Sequence, residues 1–241
     1  MGLAGCYNFI TMFYRLVNFI VRSLLSIFSD FQITGQENIP RSGPLIVAIN
    51  HIHFIDALIP GLVIPRRTVG MAKVEAFRTP GLGLGMRLYG AFPVQRGQVD
   101  RRAINRALAI LRYGGAFAIA PEGTRSKTGG LQKARDGVTF VALRSGAPIL
   151  PVAIAGTNRV FPEIRRLRRA KVRVVIGKPF WLRPEGVQAS KDEIRRMTEE
   201  IMFELAALLP EECRGVYGRR QDETHRYIVF PEPQGTVIGT R

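Results

Sequence analysis

Residues 45–63 read LIVAINHIHFIDALIPGLV and contain the two patterns that decide the fold. The run Leu45–Ile49 is apolar throughout and has the length of a strand that is buried on both faces. Residues 56–63 then show apolar side chains at helical spacing. A buried strand that leads into a helix is the repeating unit of an α/β domain with a parallel sheet.

The rest of the chain repeats this alternation of strand and helix. Further apolar runs of strand length occupy residues 68–72, 91–94, 116–120, 149–154 and 172–176. Helical patterns occur at residues 83–89, 99–113 and 137–145, and an amphipathic pattern at residues 191–208 closes the domain. We therefore predict a single α/β domain over residues 29–210, with a mostly parallel central sheet flanked by helices. Residues 211–241 form a C-terminal tail whose sequence indicates no function.

The composition narrows the class of protein. Hydrophobic residues make up 46% of the chain and charged residues 22%, which allows a buried core and excludes wholesale disorder. The 35 Lys and Arg residues outnumber the 19 Asp and Glu residues, so the net charge is +16. A net charge of this sign favours binding to nucleic acid, anionic lipid or a phosphorylated substrate. We expect no nucleic-acid partner, because no helix-turn-helix, RNP-like or zinc pattern is present. The two cysteines, Cys6 and Cys213, are too few for a disulfide framework.

Residues 1–28 predict an amphipathic helix at a membrane interface. They contain two charges, Arg15 and Arg22, and the longest uncharged run covers residues 1–14, whereas a spanning helix needs about 20 apolar residues. Large apolar side chains recur at steps of three and four, namely Phe13, Leu16, Val17, Phe19, Ile20, Leu24, Leu25 and Phe28. A helix docked on the protein's own core gives the same pattern and remains the alternative. The interface helix predicts a peripheral or monotopic protein on the cytoplasmic face of a membrane.

The positive charge is unevenly distributed. Residues 1–189 carry a net charge of +18, and residues 190–241 carry −2. Residues 159–173 contain seven cations and one acid, Glu163. This composition is typical of a solvated loop, and it also suits an anionic membrane surface.

The first candidate site is residues 50–56, NHIHFID. His51 and Asp56 would lie about 140° apart on a helix, so they meet only if His51 precedes the helix and Asp56 lies in its first turn. The carboxylate then holds one imidazole nitrogen and leaves the other as a general base. The alternative is a metal-dependent hydrolase with His51, His53 and Asp56 as ligands. That alternative lacks further ligands, because His225 is the only other histidine.

Two further segments have residues that suit an anion. Residues 120–126, APEGTRS, directly follow a predicted strand, where the loops of parallel sheets bind ligands. In this loop Glu122 and Arg125 suit an oxyanion, and Arg125 offers a bidentate fork to phosphate. Residues 90–97 end another predicted strand and supply Arg96. A surface turn with an exposed ion pair is the structural alternative for the first of these segments.

Together these motifs resemble the glycerolipid acyltransferases, the 1-acylglycerol-3-phosphate acyltransferases of phospholipid synthesis. Four blocks of that family stand here in order, and the resemblance covers residues 30–180. The blocks are Asn50-His51-x4-Asp56, residues 90–97 with Arg96, Glu122-Gly123-Thr124-Arg125-Ser126, and residues 149–152, ILPV. The third block usually continues to Phe-Lys-x-Gly, but residues 133–137 read KARDG, so Arg135 supplies the cation.

The resemblance implies an acyl transfer in which His51 and Asp56 are catalytic. His51, oriented by Asp56, takes the proton from the free hydroxyl of a lysophospholipid acceptor. The alkoxide attacks the thioester of acyl-CoA or acyl carrier protein, and 1-acylglycerol-3-phosphate becomes phosphatidate. No acyl-enzyme is required, which agrees with the absence of a credible Ser or Cys nucleophile in the sequence.

The resemblance also implies which residues bind substrate. Arg96 and Arg125 hold the acceptor's phosphate, and Glu122 fixes Arg125 or the glycerol end. The full set is Arg96, Glu122, Gly123, Thr124, Arg125 and Arg135. No metal and no cofactor are implied, since acyl-CoA or acyl carrier protein is a co-substrate. The remaining partner is an anionic membrane surface that carries the acceptor.

Overall fold

Strand β2 (Leu45–Ile49) lies in the middle of a seven-stranded sheet in the computed structural model, which describes residues 3–218 and 225–231. All five side chains of β2 are buried. Leu45 and Val47 belong to the core on one face of the sheet, whereas Ile46 and Ala48 belong to the core on the other. The uninterrupted apolar run of β2 is therefore explained by a sheet that is covered on both faces.

The central sheet is mostly parallel, as predicted. Its other strands are β1 (Ser29–Thr34), β3 (Thr68–Lys73), β4 (Phe92–Val94), β5 (Ala116–Ile119), β6 (Ile149–Ala155) and β7 (Ala170–Ile176). The order is β1-β7-β6-β2-β5-β3-β4, and every neighbouring pair is parallel except β6 and β7. A separate antiparallel pair consists of β8 (Trp181–Leu182) and β9 (Ile228–Val229). The predicted α/β class is confirmed.

Helices cover both faces of the sheet. They are α1 (Leu3–Phe28), α2 (Ile59–Val63), α3 (Leu82–Tyr89), α4 (Arg101–Arg112), α5 (Gly137–Ser145), α6 (Val160–Arg165) and α7 (Lys191–Ala207). Helices α1, α2 and α6 pack on the face of Leu45 and Val47, and α4, α5 and α7 pack on the face of Ile46 and Ala48. The cores on the two faces of the sheet therefore share β2.

Besides the pair of β8 and β9, three parts of the fold differ from the sequence prediction. Strand β1 was not expected from its sequence, SDFQIT, because an edge strand alternates buried and exposed positions and has no apolar run. Helix α6 is only six residues long, too short for a periodic pattern. Residues 56–63 do not form one helix: a 3₁₀ helix (Phe54–Leu58) comes first, and α2 follows with Pro60 in its first turn.

Part of the predicted tail packs against the domain. The buried carboxylate of Glu200 in α7 accepts hydrogen bonds from the backbone N–H groups of Arg226 and Tyr227, each at 2.9 Å. Tyr227 is itself buried. Residues 219–224 and 232–241 of the tail lie outside the described residues. The domain boundaries that we predict from the sequence stay predictions.

Helix α1 docks on the domain through one stripe of its surface. Asn18 donates to the carbonyl of Gly61 at 2.9 Å and accepts from the hydroxyl of Tyr89 at 2.7 Å. The hydroxyl of Tyr14 accepts the backbone N–H of Thr68 at 3.2 Å. A Cβ on Gly61 would lie 2.1 Å from the hydroxyl of Tyr89 in α3 and 2.9 Å from that of Tyr14 in α1, so the close approach of both helices requires glycine there. This stripe matches the alternative interpretation of residues 1–28, a helix docked on the protein's own core.

The opposite stripe of α1 is apolar and exposed. Its side chains are 45% to 70% exposed and are Phe9, Met12, Leu16, Phe19, Ile20, Leu24 and Ile27. By length and composition alone, Asn8–Phe28 is also long and apolar enough to cross a membrane, although the uncharged run of residues 1–14 argued against a span. One helix therefore has a docked face and an exposed apolar face, which is the form expected of a membrane-interface helix.

We expect Asn18→Ala to loosen α1, because it removes two hydrogen bonds and leaves the Gly61 carbonyl without its donor. At about 1 kcal/mol per hydrogen bond, the free energy of unfolding should fall by about 2 kcal/mol. Denaturant unfolding in detergent measures this loss, and amide hydrogen exchange in α1 should accelerate. Leu16→Ala, on the exposed stripe, is the control and should change neither. Equal effects of the two variants would contradict docking through Asn18.

Candidate active site

The loops that follow β2 and β5 meet at the carboxyl edge of the sheet. The two strands are neighbours and parallel, so residues 50–56 and 120–126 leave the sheet side by side. The backbone N–H of Ser126 donates to the carbonyl of His51 at 2.7 Å. The backbone N–H of His51 donates to Oε1 of Glu122 at 3.0 Å. Two segments that the sequence separates by about 70 residues thus form one site.

His51 and Asp56 have the relation that their spacing predicts. His51 lies in the loop ahead of the 3₁₀ helix and Asp56 lies within it, with 3.3 Å between Nδ1 and Oδ2. The Asp56 side chain is fully buried, and that of His51 is 12% exposed. Oδ2 also accepts the backbone N–H groups of Ile52 and His53 at 2.6 Å each. The carboxylate therefore fixes both the loop and the imidazole, and Nε2 remains as the nitrogen that can take a proton.

Glu122 binds backbone groups of two neighbouring loops. It is buried, and its Oε2 accepts the backbone N–H of Gln132 at 2.9 Å while Oε1 accepts that of His51. Burial raises the pKa of Glu122, and the hydrogen bonds from Gln132 and His51 oppose that shift. Each oxygen thus holds a backbone N–H group, so Glu122 positions the His51 loop, and its contact with Arg125 or the glycerol end stays a prediction.

Three arginines from separate segments share one side of the site. Burial and the nearby guanidinium of Arg125 lower the pKa of Arg96, Glu75 opposes this shift, and Arg135 adds to it. The side chains of Thr124, Arg125, Arg96 and Arg135 are exposed. Mutual repulsion among guanidinium groups that face solvent is the electrostatic condition for binding an anion.

Gly123 lets Arg135 lie across the loop. Its φ of +71° is in the left-handed region that favours glycine. A Cβ at this position would lie 3.0 Å from both Cδ and Nε of Arg135. The backbone N–H of Arg135 donates to the carbonyl of Pro121 at 2.9 Å, which holds its segment against the same loop. Arg135 thus occupies the place where the resemblance implies a cation.

An apolar cavity of about 790 Å³ opens at His51 and lies between the sheet and helices α4 and α5. Small side chains make the space, because Gly70, Ala103, Ala107 and Ala118 line it. Arg96 and Arg135 also contribute to its lining, beside His51. The sequence pattern does not predict this cavity, since alanines on a helix face are equally typical of close packing.

Thr157 and Asn50 support the site in ways that the sequence analysis missed. The buried hydroxyl of Thr157 donates to Oδ1 of Asp56 at 2.6 Å. Asn50 is buried as well and exchanges two hydrogen bonds of 2.7 Å with the backbone of Ile154 in β6. The only sequence signal for Thr157 is its place two residues after β6.

The metal-dependent hydrolase alternative has no support. Within residues 3–218 and 225–231, no three His, Cys, Asp or Glu side chains converge in a way that fits one ion. The ring of His53 packs against Phe54 and Phe161, with centroids 4.4 Å and 5.7 Å apart, and burial lowers its pKa. His225 pairs instead with Glu204 at 2.9 Å.

Known proteins of one class resemble this chain. A family model described as Acyltransferase matches residues 30–155. The chain is 31% identical over 161 residues to the chloroplastic 1-acyl-sn-glycerol-3-phosphate acyltransferase BAT2 of Brassica napus, which covers 64% of this chain and 46% of that protein. It is 25% identical over 182 residues to the 1-acyl-sn-glycerol-3-phosphate acyltransferase of Bacillus subtilis (strain 168), with 75% of this chain and 89% of that protein covered.

A solved structure is similar as well. The crystal structure of the 1-acyl-sn-glycerophosphate (LPA) acyltransferase PlsC from Thermotoga maritima aligns with a TM-score of 0.57 and 27% identity over 78% of each chain. The chain spans about half the length of the chloroplastic relatives from Brassica napus and Arabidopsis thaliana, at 46% and 44%. The residues that the family model matches include His51, Asp56, Arg96, Arg125 and Arg135.

We expect Thr157→Val to destabilise the protein, because it leaves a buried carboxylate oxygen of Asp56 without its donor. A hydrogen bond to a charged group contributes about 1.5–3 kcal/mol, and the free energy of unfolding should fall by that amount. Thr157→Ser keeps the hydroxyl and should retain most of the stability. Denaturant unfolding compares the two variants. If valine is tolerated as well as serine, the hydroxyl is not what holds Asp56.

Proposed function

The chain belongs to the acyltransferase family, and we propose that it transfers a fatty acyl group from a thioester donor to the free hydroxyl of 1-acylglycerol-3-phosphate, giving phosphatidate. The single observation that carries this proposal is the juxtaposition at the cavity mouth. A histidine held by a buried carboxylate, His51 with Asp56, lines the same cavity as Arg96 and Arg135. The names of the relatives from Brassica and Bacillus support the choice of acceptor.

The chemistry follows from the imidazole. Nε2 of His51 takes the proton of the acceptor hydroxyl while Nδ1 stays on Asp56, which stabilises the imidazolium that forms. The hydroxyl oxygen forms a bond to the thioester carbonyl carbon, and the carbon–sulfur bond then breaks. The thiolate leaves and receives the proton from His51. The transfer is direct, and the hydroxyl of Ser126 is already committed to the carbonyl of Gly130 at 2.6 Å.

The arginines supply the recognition of the acceptor. A phosphate carries about two negative charges at neutral pH, and guanidinium groups bind it through paired N–H donors. Arg96, Arg125 and Arg135 offer such donors from three different segments around the loop of Gly123 and Thr124. Bound phosphate relieves their mutual repulsion and places the glycerol hydroxyl near His51.

The cavity suits the acyl chain of the donor. Its lining by Gly70, Ala103, Ala107 and Ala118 is apolar and leaves room beside the sheet. Burial of each methylene of a fatty chain contributes about 0.8 kcal/mol. The donor is acyl-CoA or acyl carrier protein, a co-substrate, and no cofactor is needed for the transfer. The exposed apolar stripe of α1 holds the enzyme at the membrane, on the cytoplasmic side, where the acceptor lies.

His51→Ala should abolish most of the transfer while the protein stays folded, because the acceptor hydroxyl loses its base. General-base catalysis contributes about 100- to 10,000-fold, so kcat should fall by that factor with either donor. Mass spectrometry of phosphatidate formed from 1-acylglycerol-3-phosphate measures it. His53→Ala is the matched control and should keep substantial activity, since His53 packs on aromatic rings. Equal loss in both variants, together with inhibition of the wild type by EDTA, would favour the metal alternative.

Arg125→Ala should weaken the binding of the acceptor and leave the KM for the donor nearly unchanged. A charge-assisted hydrogen bond of about 1.5–3 kcal/mol corresponds to roughly a ten- to hundredfold loss in kcat/KM. Arg125→Lys should recover only part of it, because an ammonium group lacks the bidentate fork. Arg112→Ala, at the far end of α4, is the control for lost charge.

An acceptor without phosphate distinguishes phosphate recognition by Arg125 from a structural role of this residue. Wild type and Arg125→Ala should use it about equally poorly, because the interaction that the substitution deletes is already absent. If Arg125→Ala lowers kcat/KM by the same factor for both acceptors, the arginine supports the loop or the donor, and the phosphate assignment is wrong.

A further inference from the structure

The turn between α6 and β7 contains a leucine in an unusual conformation. Leu167 is 97% exposed and has φ +54°, and no other non-glycine side chain within the described ranges has a positive φ. The turn is well defined, since Leu167 donates its backbone N–H to the carbonyl of Ile164 at 3.0 Å and Arg168 donates to that of Glu163 at 2.9 Å. Glycine or asparagine is usual at such a helix end. Neither burial nor backbone preference explains a leucine here.

Cations surround this leucine. Arg165, Arg166 and Arg168 are all exposed. Glu163, the one acid of residues 159–173, pairs with Arg166 at 3.1 Å, and Asp30 of β1 lies opposite Lys171. Residues 159–173 carry seven cations and one acid in total. An exposed apolar side chain ringed by arginines matches a bilayer interface, where the side chain enters the acyl boundary and the guanidinium groups remain at the phosphates.

The turn lies directly beside the end of α1. Arg169 donates to the carbonyls of Ser26 and Ser29 at 2.5 Å and 2.6 Å. Strand β1 pairs with β7 from Ser29 opposite Ala170 onward, which fixes the turn at this place. The neighbouring side chain of Ile27 is 62% exposed and belongs to the apolar stripe of α1. The turn of residues 165–168 therefore lies next to the end of the α1 stripe.

Helix α6 connects this turn to the active site. Its six residues cover about 9 Å. Near its first turn, the ring of Phe161 packs at a tilt against those of His53 and Phe54, next to the loop of His51. Phe161 and Phe54 are 46% and 54% exposed, so aromatic side chains continue the apolar surface toward the site.

We propose that residues 165–168, with Leu167 inserted between arginines, are a second membrane contact that is specific for anionic lipid. The stripe of α1 supplies apolar attachment to any bilayer, and the turn adds recognition of negatively charged headgroups. Two contacts on one surface prevent rotation of the domain about α1. They hold the His53, Phe54 and Phe161 cluster toward the bilayer, from which a lipid acceptor can reach His51.

The test uses the full-length protein and flotation with two kinds of vesicle, phosphatidylcholine alone and phosphatidylcholine with phosphatidylglycerol. The readout is the ratio of anionic to neutral partition coefficients. Replacing Arg165, Arg166 and Arg168 together by Gln should lower this ratio by about fivefold per arginine at low salt, roughly a hundredfold in all. Added salt should reduce the wild-type ratio in the same direction. Binding to neutral vesicles should hardly change.

A triple variant on α4, with Gln at Arg102, Arg106 and Arg112, is the matched control for charge. It also removes three positive charges, but from the opposite face of the sheet, and should leave the ratio near that of the wild type. If the partition ratio of the α4 variant falls as far as that of the turn variant, the proposal is wrong. It is also wrong if the wild type binds neutral and anionic vesicles equally.

The variant Leu167→Gly distinguishes membrane insertion of the side chain from an effect on folding. Glycine suits φ +54°, so thermal stability should be equal or higher, while anionic vesicle binding should weaken by about tenfold because the inserted side chain is gone. Unchanged binding by this variant would overturn the insertion of Leu167. Kinetics on a short-chain, soluble acceptor should be those of the wild type for every turn variant. The proposed acyl transfer can therefore fail or hold independently of this surface.

Discussion

The buried carboxylate of Asp56 is the interaction on which the site depends. A fully buried ion without partners costs several kcal/mol, and here four donors offset that cost. They are Nδ1 of His51, the backbone N–H groups of Ile52 and His53, and the hydroxyl of Thr157. The donors come from the segments that follow β2 and β6. One satisfied charge therefore fixes a tight turn, the orientation of an imidazole and the spacing of two strand ends.

Acidic and basic side chains at the site have separate tasks. Glu122 is buried and accepts the backbone N–H groups of His51 and Gln132, one on each oxygen, so it holds the two loops together. Arg96 and Arg125 have exposed side chains, and partial burial of the Arg96 guanidinium, followed by repulsion from Arg125, lowers the pKa of Arg96. Because the carboxylates of the site bind backbone N–H groups, its positive potential is retained for a ligand. Under the proposed function, this ligand is the phosphate of the acceptor.

The sequence predicts those features whose partners are near in the chain or whose burial is uniform. Every residue of β2 is buried, and its predicted range matches the structure, whereas β1 is an edge strand with no apolar run. The pair of His51 and Asp56 is only five residues apart and could be inferred from its spacing. The contacts of Glu122 with His51 and of Thr157 with Asp56 cross 71 and 101 residues. Only the order of strands in the sheet brings them together, and no local pattern encodes that order.

The sheet also separates two approaches to His51. On one face, α1 and α6 present exposed apolar side chains, next to the turn of residues 165–168. On the other face, α4 and α5 line the apolar cavity. The chain leaves β2 toward β3 and leaves β5 toward β6, so the connections after these two neighbouring strands run in opposite directions along the sheet. Under the proposed function, a lipid acceptor arrives from the membrane face while the donor's acyl chain occupies the cavity behind the sheet. The two substrates then meet at His51, next to Arg96 and Arg135, which line the same cavity and hold the acceptor's phosphate.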